Sequence, residues 1–101
     1  MRKITDAKLV VETQSKDAVG QTKTTKTYKP VLGNLRSLYG REFYQAEQFG
    51  VRPEGCIETC AFDYNGERKI LIDEKEFTIY RTFTRGTDRI ELYYGERVGN
   101  G

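Results

Sequence analysis

Cys56 and Cys60 are the side chains of this chain best suited to redox or metal chemistry, and their surroundings decide against both. Four residues apart on a strand, they share a face about 13 Å apart, too far for a disulfide. A structural zinc site needs four ligands, and the chain has no histidine and no third cysteine. The expected role is therefore that of two small, buried or half-buried apolar residues. The carboxylates gather where turns are expected, Asp63 with Glu67 and Asp73 with Glu74 and Glu76. The stretch DYNGE has the look of a calcium loop but lacks its alternating ligands and its distant glutamate. Ser15 and Ser37 lie outside any nucleophile-elbow context, and no glycine pattern suits a phosphate. Without histidine the usual general base near neutral pH is missing. No enzyme activity, cofactor, metal or small-molecule substrate is expected.

The elements that could carry another kind of function are legible in the spacing. Between strand-like segments lies LRSLYGREFYQAEQFGVRP, with Ser37 as an N-cap and Tyr39, Phe43, Ala46 and Phe49 along one helical seam. A helix is expected over about 38–49, ended by Gly50 in a left-handed conformation and by Pro53. Gly40 near its start costs about 1 kcal/mol relative to alanine. A lone helix among strands either caps an open barrel end or is the working element. Before it, strands are expected at Lys8–Thr13 and Tyr28–Leu35, separated by a long polar hairpin loop over about 15–26. That loop is either a solvated tip or a partner-contacting arm, with Lys16, Asp17, Lys23 and Lys26 as its contact candidates.

After a short connection, Val51 to Gly55, the pattern is all β. Ile57–Tyr64 leads into Asn65-Gly66, a strong hairpin signal, and Arg68–Ile72 returns. Glu76–Phe83 follows, with Phe77, Ile79 and Phe83 alternating against Thr78, Tyr80 and Thr82. A turn at Thr84–Asp88 leads to Arg89–Tyr94, where Ile90, Leu92 and Tyr94 share a face; a flexible tail is expected over about 95–101. The fold class is mainly β: one domain spanning 1–101, a small antiparallel β-barrel of about six strands with one short α-helix between strands two and three. Burying Phe77, Ile79, Ile90 and Leu92 contributes about 6–12 kcal/mol before entropy, so these residues belong to a core.

Composition narrows the partners. The chain has 101 residues, 37% hydrophobic and 32% charged, a lean apolar share that implies wide exposure, a partner surface or a mobile loop. A net charge of +2 and a pI near 8.5 are too mild for a dedicated nucleic-acid binder. Ile4-Thr5-Asp6 interrupts any leader after the basic Met1-Arg2-Lys3, and no apolar run approaches the ~20 residues of a membrane span. A soluble protein of a reducing compartment, without membrane contact, is expected.

Four segments in this order, NLRSLYGREFYQAEQ, FDYNGE, EFTIYRTF and DRIELYYGERVG, resemble the head-closure (head–tail connector, or stopper) proteins of tailed bacteriophages. The resemblance covers roughly Tyr28 to Val98. It implies a small β-barrel without cofactor that forms a homo-oligomeric ring beneath the portal and adaptor rings. Such a ring closes the DNA exit channel and docks the tail. Its implied partners are portal and adaptor ring proteins, a tail-completion protein, further copies of the chain and genomic double-stranded DNA. Its implied location is the virion head–tail junction, and the host bacterial cytoplasm during assembly. By motif position the channel-closing segment is Ser37 to Glu54, with Ser37, Arg41, Glu42, Tyr44, Gln45 and Gln48 as its polar or contact residues.

Two other readings fit the residues. Tyr80, Arg81, Arg85, Arg89 and Tyr93 could form a stacking and phosphate-contacting face for single-stranded nucleic acid. Their alternation equally suits the solvent face of any sheet. A generic protein-interaction domain of SH3-like form is the residual category.

Overall fold

The computed structural model describes the backbone of residues 2–38, 40 and 50–97, and their side chains from Ala7 onward. Six strands succeed one another: β1 (Arg2–Lys16), β2 (Thr22–Arg36), β3 (Val51–Cys60), β4 (Lys69–Ile72), β5 (Lys75–Arg85) and β6 (Arg89–Arg97). They close into a barrel in the order β1-β2-β3-β6-β5-β4, with every neighbouring pair antiparallel. The mainly β, six-stranded antiparallel architecture expected from the alternation is the one that forms.

Alternation places the core. Ala7 and Leu9, Val31, Ile57, Ile70 and Ile72, Phe77, and Ile90, Leu92 and Tyr94 point inward and form one apolar cluster. Thr59 is a buried polar member of the interior, and its hydroxyl donates to the Leu32 carbonyl at 2.6 Å, which removes the cost of an unpaired group. Near the end of β6, Gly95 lets β3 approach closely. A Cβ there would overlap the Arg52 carbonyl and stand 2.6 Å from Val51 Cγ1.

The first hairpin is longer than its hydrophobic pattern implies. β1 and β2 pair continuously from Ala7↔Val31 to Lys16↔Thr22, so the loop expected over 15–26 shrinks to the five residues between those strands. β4 flanks β1 only from Ala7 to Val10, and β3 flanks β2 only from Gly33 to Arg36. Beyond those limits the hairpin leaves the barrel as a two-stranded arm, exposed on both faces from Glu12 to Lys16 and from Thr22 to Thr27. Backbone pairing with no core to bury leaves no apolar alternation, which is why these residues read as loop. Pro30 sits where one side of β2 is still open, a place its missing N–H permits.

Three further expectations are corrected. Val51–Gly55 is the start of β3, paired with β6, and the Pro53/Gly55 register shift there is the bulge that accommodates its proline. Asn65-Gly66 does not join a hairpin: β3 is flanked by β2 and β6, and β4 by β1 and β5. The chain instead crosses between them through a 3-10 turn, Ala61–Asp63. Gly95 to Arg97, assigned to a tail, belong to β6, while 98–101 lie outside the described residues. The helix expected over 38–49 also lies outside them, apart from Leu38 and Gly40. Gly50, expected to be left-handed, has φ 67°.

The two barrel ends differ. Where the arm leaves, Lys29 pairs with Glu67 at 3.3 Å and Tyr64 donates to the Glu67 carbonyl at 2.9 Å. Burial works against the charge on Glu67, but the Asn65 N–H at 2.6 Å, its own N–H and the Lys29 ammonium hold its carboxyl below the usual range. Burial, and then the Glu67 charge, push the Tyr64 hydroxyl up. At the opposite end the interior opens as a mouth of about 340 Å³ bounded by Leu35, Ile72, Phe77 and Tyr94, with Glu54, Asp73 and Lys75 at its rim.

Candidate functional site

Three surfaces offer themselves: the outer face of β2-β3-β6-β5, the arm, and the open mouth. On the outer face, register brings together residues remote in sequence. Arg36 of β2, Cys56 of β3, Tyr93 of β6 and Arg81 of β5 form one row across the strands. The next row inward along the sheet is Asn34, Glu58, Glu91 and Phe83.

Glu91 is 3% exposed and bonded to two arginines, Arg36 at 3.5 Å and Arg85 at 3.1 Å. The Tyr93 hydroxyl accepts from Arg36 at 2.8 Å and donates to Glu91 at 3.0 Å. The Arg36 and Arg81 guanidiniums lie 5.6 and 5.0 Å from the centre of the Tyr93 ring, within cation–π range. Arg89 holds Glu58 through both Nε and Nη2, at 3.2 and 3.1 Å. The nucleic-acid reading singled out Tyr80, Arg81, Arg85, Arg89 and Tyr93. Of these, Tyr93 is buried and Tyr80 half-buried. Arg85 and Arg89 are committed to internal carboxylates. Spacing along the last two strands marks Arg81, Arg85 and Arg89 but not Arg36 or Glu91, whose roles depend on which strands become neighbours.

Phe83 was expected inside and is outside, 48% exposed. Ile79 faces Tyr94 but Arg81 faces Tyr93, so one extra residue enters β5 at Tyr80. A bulge of this kind inverts the face of everything beyond it. Leu32 and Phe62 are the other large apolar side chains exposed near this end of the sheet. Cys56 is buried and Cys60 half-buried, and neither is in a disulfide. Among the described residues no three metal-binding side chains converge. No described helix is long and apolar enough to cross a membrane.

The arm carries all four residues named for partner contact, Lys16, Asp17, Lys23 and Lys26, but they serve differently. Asp17 is structural: its Oδ1 accepts from the Val19 N–H at 3.0 Å and the Gln21 N–H at 2.9 Å. Its backbone exchanges N–H and C=O bonds with Gln21 and Gly20, and Gly20 takes φ 85° to close the turn. The tip is therefore an ordered turn presenting Val19, which is 79% exposed. Lys26 is also engaged, at 3.5 Å from Glu76. Glu76 in turn meets Lys69 at 3.4 Å, which meets Glu12 at 3.9 Å, so four charges from four strands anchor the arm's root. Lys16 and Lys23 flank the tip without an ion pair among the described residues.

The channel-closing candidates Arg41, Glu42, Tyr44, Gln45 and Gln48 lie outside the described residues. Ser37 is exposed, and its carbonyl accepts from Arg36 Nη1 at 2.9 Å. An open cleft of about 990 Å³ touching Val10, Glu12, Lys29, Glu67, Lys69 and Tyr80 has much of its charge neutralised in the Lys29–Glu67 and Lys69–Glu12 pairs. No protein-family model matches the chain, and neither a curated protein nor a solved structure matches it.

Proposed function

We propose that this chain is a structural subunit of the head–tail junction of a tailed bacteriophage or prophage. Copies form a connector ring that closes the DNA exit channel of the capsid and docks the tail, without enzymatic chemistry or a cofactor. The observation that carries this reading is a closed barrel with a polar two-stranded arm projecting from one end. That division suits assembly: a stiff frame fixes position while an outlying element reaches a neighbour. The order of NLRSLYGREFYQAEQ, FDYNGE, EFTIYRTF and DRIELYYGERVG adds its resemblance to head-closure proteins.

On this reading the partners are the portal and adaptor rings, a tail-completion protein, other copies of the chain and the genomic DNA. Ser37 to Glu54 is the channel-closing segment. The protein resides in the virion and, before assembly, in the bacterial cytoplasm. The single-stranded nucleic-acid alternative draws less support, because the stacking ring of Tyr93 is flanked by arginines and Arg85 and Arg89 are already paired. The test is to add the purified chain to portal–adaptor particles and image them. One extra ring beneath the adaptor is expected; particles that gain no density while both components stay folded overturn the proposal.

A further inference from the structure

Val19 is an aliphatic side chain at the end of an otherwise polar arm, and folding does not explain it. The turn is held by Asp17 and Gly20, so a polar residue at position 19 would serve the hairpin equally well. Exposed at a fixed tip, Val19 is preorganised for a contact that the rest of the chain does not provide.

The complementary feature lies at the other end of the barrel. Ala7 of β1 pairs with Ile72 at the mouth, and the same strand then runs away from the mouth to the tip. Tip and mouth therefore lie at opposite ends of one strand, and a single copy cannot bring them together. The mouth is walled by Leu35, Ile72, Phe77 and Tyr94. Glu54 stands on its rim, and Glu74 occupies the β4–β5 turn beside it. Neither Glu54 nor Glu74 makes an ion pair among the described residues, just as Lys16 and Lys23 make none at the tip. Two cations thus flank the apolar knob, while the border of the recess is net acidic, with Glu54, Asp73 and Glu74 set against a single cation, Lys75, which is itself held by Glu96.

We propose that the arm tip of one copy docks in the barrel mouth of a second copy, Val19 entering the recess while Lys16 and Lys23 meet Glu54 and Glu74. The contact is head-to-tail, so each copy both gives a tip and receives one. Repetition closes into a ring if the rotation per copy permits and grows into a filament if it does not. The inference deepens the ring reading but requires only this chain, so the two can fail separately.

The experiment is sedimentation velocity across a concentration series at low and high salt. It compares wild type, the tip variant Val19→Asp, the mouth variant carrying both Glu54→Lys and Glu74→Lys, and an equal mixture of the two variants. All three positions are exposed, and Lys23→Glu provides a second, milder tip variant. Wild type is expected to self-associate, less so in high salt. Each variant alone should lose association by about tenfold or more, the loss of one buried aliphatic side chain or of its flanking charge pairs. The mixture should form one-to-one dimers and nothing larger, because it retains one intact tip and one intact mouth. A wild type that stays monomeric up to about millimolar concentration overturns the inference. So do a tip variant that associates like wild type and a mixture that forms no dimer. If Val19→Asp adds rings to portal–adaptor particles as well as wild type does, the contact is wrong and the virion reading stands.

Discussion

Glu91 carries the charge around which the outer face is organised, and its environment makes it costly to remove. Its removal takes a carboxylate partner from Arg36, which is 15% exposed, and from the more open Arg85, and breaking a buried ion pair is costly. Glu91→Ala is expected to destabilise the fold by about 3–5 kcal/mol in denaturant titration. Glu58→Ala removes a carboxylate one strand away that is more open to solvent, and should cost about 1 kcal/mol or less. Equal losses for the two would dispose of the distinction. The inward trio Ile90, Leu92 and Tyr94 was readable from alternation alone. The burial of Glu91 and Tyr93 on the opposite face was not, because their partners come from positions 36, 81 and 85 and meet them only through the strand order.

Among the elements, β5 shows how one residue separates pattern from position. Its first half obeys the alternation and places Phe77 against Tyr94, ring centres 5.1 Å apart. Its second half is inverted by the bulge at Tyr80. Phe77→Ala should therefore cost about 3–5 kcal/mol, whereas Phe83→Ser should change stability by no more than about 0.5 kcal/mol. A large loss at Phe83 would show that it is covered in the free chain. A bulge has no signature in YRTFTR, since an extra residue in a strand looks like any other. The β3–β4 crossover was misread for a related reason: Asn65-Gly66 marks a turn, and Gly66 does take φ 86°, but a turn signal does not say which strands it joins.

That crossover also sets an acid limb. The Glu67 carboxyl lies below its ordinary value of 4.5 in the fold, so it contributes stability that is complete above that value. The contribution disappears as pH falls through the lowered one. Glu67→Gln should accordingly destabilise at pH 7, by about 1 kcal/mol, because the amide still accepts from the Asn65 N–H but no longer carries the charge that Lys29 meets. The gap between variant and wild type should shrink steadily as pH is lowered from about 5 to about 3. A gap independent of pH would remove the carboxylate from that role.

At the scale of the whole molecule, the radius of gyration is 14.7 Å, against about 13 Å for a compact chain of 100 residues, and the principal extents are 49 × 32 × 25 Å. The arm accounts for the excess, and for the lean apolar share of the composition: its residues fold without burying anything. Replacing Thr13–Thr25 by Asn-Gly between Glu12 and Lys26, which already face each other, should keep the barrel within about 1 kcal/mol of wild type by thermal unfolding. The same change should abolish self-association. A barrel that fails to fold without those residues would mean that the arm belongs to the core. The closed sheet was legible from alternation and turns; the arm was not, because two polar strands that pair only with each other leave no hydrophobic trace. Its mounting is equally polar: Lys26, Glu76, Lys69 and Glu12 bridge four strands at the surface. Electrostatic reach shortens from about 10 Å at 0.1 M salt to about 3 Å at 1 M. These exposed pairs are therefore expected to loosen in brine, leaving the hairpin aimed only by the ladder that carries β1 and β2 out of the barrel, so added salt should widen the range of angles it samples without altering the fold.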